Sequence, residues 1–272
     1  MNHCFLNGQI IPLAEAKVSV QDIGLLRGFG IYEAMTAFGG KIFRFADHWE
    51  RFIHSAQALN LNVPITEEKA EKVIKELLEK NGQEKDHANI RFILTGGKAI
   101  NGIEYSFETP TFYILTEKHV PLPEEIYENG GKLLTYNFKR QFPEYKTTDY
   151  INAVNLQEFR KAEGAVEILY VFEGEVLECA TSNIFLVKDG KVSTPAENIL
   201  KGITRKVVLE LALDAEERIV EESKLQTADE IFITSSFKDI VPIVKVDDFV
   251  IGDGKPGPIT KDLVVKFKAC TE

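Results

Sequence analysis

Three dipeptides constrain this chain most: Asn7-Gly8, Gly39-Gly40 and Asp189-Gly190, each set between two short strand-prone runs. Such pairs suit the positive φ angles that two-residue hairpin turns demand, so each predicts two adjacent antiparallel strands. Three hairpins interleaved irregularly with helical stretches fit an α+β architecture better than a doubly wound parallel sheet. Neither GxGxxG nor GxxxxGK[ST] occurs, which weakens dinucleotide and nucleoside-triphosphate readings.

After the Gly39-Gly40 turn, Lys41-Ile42-Phe43-Arg44-Phe45 reads as a strand, with Phe43 and Phe45 on one face and Arg44 on the other. Trp49, Phe52, Ile53, Ala56 and Leu59 recur at helical spacing behind Asp47, a candidate cap answered by Glu50. Thr66 to Lys80 predicts a second helix, stopped by Asn81-Gly82, and Ile90–Leu94 and Thr111–Leu115 predict strands. The rigid, polar Pro121-Leu122-Pro123-Glu124-Glu125 reads as a boundary. The expected organisation is an N-terminal domain over 1–120, a linker over 121–131 and a larger C-terminal domain over 132–272. That second part predicts a strand near Lys132–Tyr136 and a helix from about Tyr150 to Glu163. Strands follow at Glu167–Phe172, Glu175–Glu178 and Ile184–Val187, a helix starts at Thr204, and late strands fall at Glu230–Thr234 and Ile240–Val244. Thr260 is a candidate cap for a C-terminal helix.

The 272 residues carry a formal charge of −10, and no Lys/Arg stripe stands out, so nucleic acid and anionic membrane are poor partners and a small molecule is the better one. Three widely spaced cysteines, Cys4, Cys179 and Cys270, form neither a disulfide framework nor a zinc motif. The five histidines are scattered, with no HExxH, so no metal is expected. With no leader-like N-terminus and no apolar run of membrane-spanning length, the expected compartment is the cytoplasm.

Chemistry is concentrated in a few places. Gly202-Ile203-Thr204 precedes the apolar-periodic Val207, Val208 and Leu211, so it is either an anion site at a helix N-terminus or an ordinary cap. Thr234-Ser235-Ser236 offers hydroxyls after a strand, or is a simple turn; with Arg44 the two clusters suit a phosphate dianion. Lys146 stands among hydroxyls and phenols before a helix, as a solvated lysine or one held near a cofactor. Glu178 sits among short polar residues between apolar strands, and needs a cationic or N–H partner if buried.

Taken in order, these pieces resemble the class IV pyridoxal-phosphate aminotransferases, the family of branched-chain and D-amino-acid aminotransferases and aminodeoxychorismate lyase. The resemblance runs from about Leu6 to Ile243. It rests on Asn7-Gly8, Asp22 through Glu33, Phe43-Arg44-Phe45 with His48 and Arg51, Lys146 through Tyr150, Leu177 through Phe185, Thr194-Pro195, Leu200 through Arg205 and Thr234 through Pro242. It implies a fold of type IV, with a small α/β domain, a larger domain with a barrel-like sheet, the cofactor pyridoxal 5′-phosphate between them, and a homodimer. By the same resemblance Lys146 is the Schiff-base lysine and Glu178 faces the pyridine nitrogen. Arg44, Ile203, Thr204, Ser235 and Ser236 hold the phosphate, Tyr150 stands near the cofactor oxygen, and Asn183 supports the site from behind. Tyr32 faces the substrate; no arginine for the substrate carboxylate carries over from the family, and Lys98, Asn101 and Arg91 are the candidates to take its place.

Three departures stand out. Asp149 replaces the usual Asn after the lysine, Leu94-Thr95-Gly96-Gly97 lacks the Arg-Gly pair of many members, and Phe237-Lys238 replaces smaller residues after the serines. The implied reaction moves an amino group between an amino acid and a 2-oxo acid, with Glu33 and Tyr150 closest to the branched-chain type. The alternatives are aminodeoxychorismate lyase, a D-amino-acid aminotransferase, and a cofactor-binding scaffold without turnover.

Overall fold

The computed structural model describes residues 2–271 and divides into two compact units. The first comprises Met1–Val120 with Tyr145–Asp149, the second Pro121–Glu144 with Tyr150–Glu272.

In the first unit the elements are β1 (His3–Leu6), β2 (Gln9–Pro12), α1 (Ile23–Arg27), β3 (Gly30–Phe38), β4 (Lys41–Ile42), α2 (Phe45–Ala58), α3 (Glu67–Lys80), β5 (Ala88–Thr95), β6 (Ala99–Asn101), β7 (Glu104–Tyr105) and β8 (Thr111–Lys118). Six strands form an antiparallel sheet in the order β2-β1-β8-β5-β3-β4. Asn7-Gly8 and Gly39-Gly40 make the turns expected of them, with positive φ at all four residues. Helix α3 starts where Thr66 Oγ1 accepts the Lys69 N–H at 3.4 Å, and buries Ala70, Val73, Ile74, Leu77 and Leu78 at helical spacing. Phe52 of α2 meets Phe92 and Phe112 of the sheet in a water-free aromatic cluster. Each such ring contributes roughly 1.5–3 kcal/mol through burial.

The Phe43–Phe45 strand does not form. Phe43 N–H still bonds to Thr36 O at 2.9 Å, but Arg44 adopts a left-handed φ of 49° and α2 begins at Phe45. Asp47 is therefore not a cap; it lies in the first turn, 3.6 Å from Arg44 Nη1.

The second unit contains α4 (Glu124–Asn129), β9 (Gly131–Asn137), α5 (Ile151–Asn155), α6 (Gln157–Ala162), β10 (Glu167–Phe172), β11 (Glu175–Cys179), β12 (Asn183–Lys188), β13 (Lys191–Pro195), α7 (Ile203–Leu211), β14 (Glu216–Arg218), β15 (Glu230–Ser235), β16 (Asp239–Val246), β17 (Phe249–Val250) and α8 (Pro258–Thr271). The sheet order is β11-β10-β9-β16-β15-β12-β13-β14, with β17 on β16. It curls: Val176 N–H of β11 donates to Val220 O, just beyond β14 at the opposite end of the order. β10, β12 and β15 are buried almost throughout, as strands covered on both faces must be.

Residues 121–131, expected as a linker, are built into this unit: Leu122, Ile126 and Tyr127 pack on its core. The expected Tyr150–Glu163 helix is two short ones, because the Gln157 side chain takes the Ala153 carbonyl at 2.8 Å, the acceptor its own backbone N–H would use in a continuous helix. Thr260 lies inside α8 and is not its cap. Glu230 serves the start of α8 instead, accepting Ile259 N–H at 3.0 Å, Thr260 N–H at 2.8 Å and Thr260 Oγ1 at 2.7 Å.

Candidate active site

Lys146 owes its place to a short stretch of strand pairing. Tyr32 N–H donates to Lys146 O at 2.9 Å, Thr148 N–H donates to Gly30 O at 2.9 Å, and Ile31 bridges Thr147, so the 145–149 segment joins the start of β3. From α2, Ser55 Oγ accepts the Lys146 N–H at 3.2 Å. The ammonium then stands 4.4 Å from the centre of the Tyr32 ring, within cation–π range. Tyr32 and Lys146 are thus brought together.

Successive residues of a strand face opposite ways, and Glu33 turns from Tyr32 toward α2. It has no solvent exposure, and its oxygens take Arg51 Nε at 3.0 Å, Arg51 Nη2 at 2.5 Å and His48 Nδ1 at 3.0 Å. Burial pushes the Glu33 carboxyl up, but the Arg51 charge and the bonds from His48 and Arg51 outweigh it and hold the group well below the usual carboxylate range. Burial lowers His48, so its ring is neutral at pH 7 and Nδ1 carries the hydrogen donated to Glu33. His48, Arg51 and Ser55 recur along one face of α2, the face that holds Lys146. Arg44 lies at the outer end of the same helix with its side chain 36% exposed, against Asp47. Lys98 is exposed before β6, its backbone bridging Asp22.

The second unit holds the rest. Glu178 lies next to the end of β11, buried, with Arg140 Nε at 2.8 Å and Arg140 Nη2 at 2.6 Å from Oε1, and the Leu200 N–H at 3.0 Å from Oε2. This is the cationic and N–H company that a buried carboxylate requires. Asn183 clamps the approach to α7: Nδ2 donates to Leu200 O at 2.7 Å, and Oδ1 accepts the Gly202 N–H at 3.2 Å. Gly202 is the N-cap of α7, so Thr204 is not the cap; it sits buried in the first turn beside Ile203. Ser235 closes β15, with Ser236 following. Tyr150 packs, half-buried, on a small core with Leu134 and Tyr170. Burial and then Glu167 push the Cys179 thiol far up, so it is no nucleophile.

A pyridoxal phosphate would need an amine, a carboxylate and a phosphate cradle, and the residues fit. The buried hydroxyls of Ser182, Thr234 and Ser235 have no hydrogen-bond partner, and Asn183 ties their end of the ladder to the N-terminus of α7. Orphaned donors of this kind suit an anion. Arg140, Ser55 and Ser182 do not stand out in the sequence, and Arg51 is seen there without a role. Only pairing across elements makes them visible.

A lysine on strand-paired backbone in one unit and a carboxylate clamped by an arginine in the other are groups of the kind such a cofactor requires. The amino-transferase class IV family profile matches residues 30–246. A Methanocaldococcus jannaschii protein, provisionally named a branched-chain-amino-acid aminotransferase, is 35% identical over 278 residues, spanning 97% of this chain and 94% of that protein. The D-alanine aminotransferase of Staphylococcus haemolyticus is 34% identical over 282 residues, 100% of this chain and 99% of its own. A solved T.th. branched-chain amino acid aminotransferase with pyridoxamine 5′-phosphate superposes with a TM-score of 0.90 at 29% identity, over 99% of this chain and 94% of that one. The chain belongs to the class IV aminotransferases, and is a pyridoxal-phosphate-dependent enzyme. Among the described residues no helix is long and apolar enough to cross a membrane, and no group of three or more His, Cys, Asp or Glu is placed to hold a metal ion.

Proposed function

We propose that this enzyme transfers the amino group of a branched-chain amino acid to a 2-oxo acid, with Lys146 as the catalytic amine. The observation that carries the reading is the placement of Lys146, strand-paired to β3, held by Ser55 and lying on the Tyr32 ring. When bound, pyridoxal phosphate supplies the carbonyl that exchanges with the substrate amine and the ring that accepts electrons from Cα. Lys146 Nζ moves the Cα proton, and Tyr32 orients that amine and faces the substrate. Glu178 holds a proton at the pyridine nitrogen, its carboxylate fixed by Arg140 and the Leu200 N–H. The phosphate is held by Ser235, Ser236 and the first-turn amides at Ile203 and Thr204. Arg51 takes the part expected of Arg44, because it lies on the face of α2 that holds Lys146 whereas Arg44 lies at the exposed end. Tyr150 stands by the cofactor oxygen, and Lys98 receives the substrate carboxylate.

The proposed assembly is a homodimer. Val20, Leu25 and Leu26 are exposed on the stretch that Asp22 and Gln21 tie to 98–99, where Ile100 and Ile103 are also exposed, an apolar strip of the kind that interfaces cover. The proposed compartment is the cytosol, consistent with the three free cysteines. D-alanine transamination is the second reading, favoured by the full-length match to the staphylococcal enzyme.

The test is the visible spectrum of the protein with pyridoxal phosphate on addition of L-leucine, L-glutamate, D-alanine or aminodeoxychorismate. Conversion to the pyridoxamine form by L-leucine and L-glutamate supports the proposal. Conversion by D-alanine alone transfers it to the second reading, and pyruvate release from aminodeoxychorismate without a 2-oxo acid makes the enzyme a lyase. Lys146→Ala is expected to lower kcat by roughly 10²–10⁴-fold or more.

A further inference from the structure

The β12–β15 ladder ends with Asn183 opposite Thr234, so the next residues outward, Ser182 and Ser235, stand across from one another at its end. Both hydroxyls are buried with no hydrogen-bond partner. Ser182 lies in the turn joining β11 to β12 and Ser235 ends β15 where the turn to β16 begins, and nothing in a ladder that has ended fixes the two turns together.

One residue does so. The Lys238 N–H donates to Ser235 O at 3.3 Å, closing the second turn, while its ammonium donates to Thr181 Oγ1 at 2.7 Å in the first. That ammonium also lies 3.3 Å from Glu167 Oε2 on β10, which accepts the Thr181 N–H and Oγ1, each at 3.0 Å. Lys238 and Glu167 are both largely buried, their side chains 15% and 6% exposed. A lysine in this place is one of the departures of the sequence from its family's usual small residues.

We propose that Lys238 is a positioning residue for the phosphate of the cofactor: it staples the two turns so that Ser182 and Ser235 present their hydroxyls to one phosphate group. The inference rests on the pyridoxal-phosphate site proposed above. The ammonium is neutralised by Glu167, so its effect is geometric, and arginine, which reaches the same partners, substitutes for it where methionine does not.

The test compares pyridoxal phosphate with pyridoxal, which lacks the phosphate. The intact chain, dialysed free of cofactor, is titrated with each, following the visible absorption of the lysine-bound form. Lys238→Met is expected to weaken pyridoxal phosphate about tenfold or more and leave pyridoxal unchanged, with Lys238→Arg restoring the difference. Because Lys238→Met strands the Glu167 charge, the Glu167→Gln/Lys238→Met pair is measured as well, and the same selective loss is expected. A phosphate-to-pyridoxal affinity ratio in the double variant equal to that of the wild type overturns the inference while leaving the proposed function intact. A wild-type chain that binds neither compound overturns both.

Discussion

Glu33 lies beyond the reach of water, and two hydrogen bonds from Arg51 and one from His48 make its charge tolerable. Arg51→Met leaves that charge buried beside a neutral imidazole and is expected to cost about 3–5 kcal/mol in urea denaturation, whereas Glu33→Gln/Arg51→Met, which strands nothing, costs less. Asp239 shows the opposite case. Burial raises its carboxyl to about 6, against an ordinary value of 3.8, and only Lys268 opposes the rise. Between these values the folded chain holds more protons than the unfolded one, so this group's contribution to stability falls as pH rises from about 3.8 to about 6 and then levels off. Asp239→Asn removes that loss; asparagine accepts the left-handed φ of 55°, so the variant is expected to melt higher than wild type at pH 8 and to show no gain near pH 4. An equal Tm difference at both pH values would count against the assignment.

Among the elements, α8 depends on a partner remote in sequence. Glu230, on β15, satisfies two backbone amides and one hydroxyl in the first turn of α8. Glu230→Ala is expected to cost about 1–3 kcal/mol, seen as a lower urea midpoint and faster amide exchange at Ile259 and Thr260. Gly257 lies so close that a Cβ would overlap the same side chain, so Gly257→Ala should act in the same direction. Local sequence hides this dependence, because a cap is read from the residues next to the helix, where Thr260 stands out. Thr66 is legible for the complementary reason: its contact to Lys69 N–H spans three residues, and local sequence contains the whole interaction.

For the molecule as a whole, the apolar strip of Val20, Leu25, Leu26, Ile100 and Ile103 predicts self-association. Ile103→Asp is expected to shift sedimentation from dimer to monomer without lowering the melting of the chain's own core; a wild-type monomer would defeat the prediction. The three hairpins, the Thr66 cap, the hydrophobic alternations behind most elements, and the family itself were determined by the sequence alone, because turn chemistry and hydrophobic period act over two to four residues. Tertiary structure alone decided which unit takes the 145–149 segment and that 121–131 belongs to the second unit. It also decided that His48, Arg51 and Ser55 line the face of α2 that holds Lys146, and that Arg140 and Leu200 hold Glu178. Those partners lie 22 to 118 residues apart in the chain, and ion pairs and strand ladders between such residues follow the path of the backbone, which no local pattern encodes.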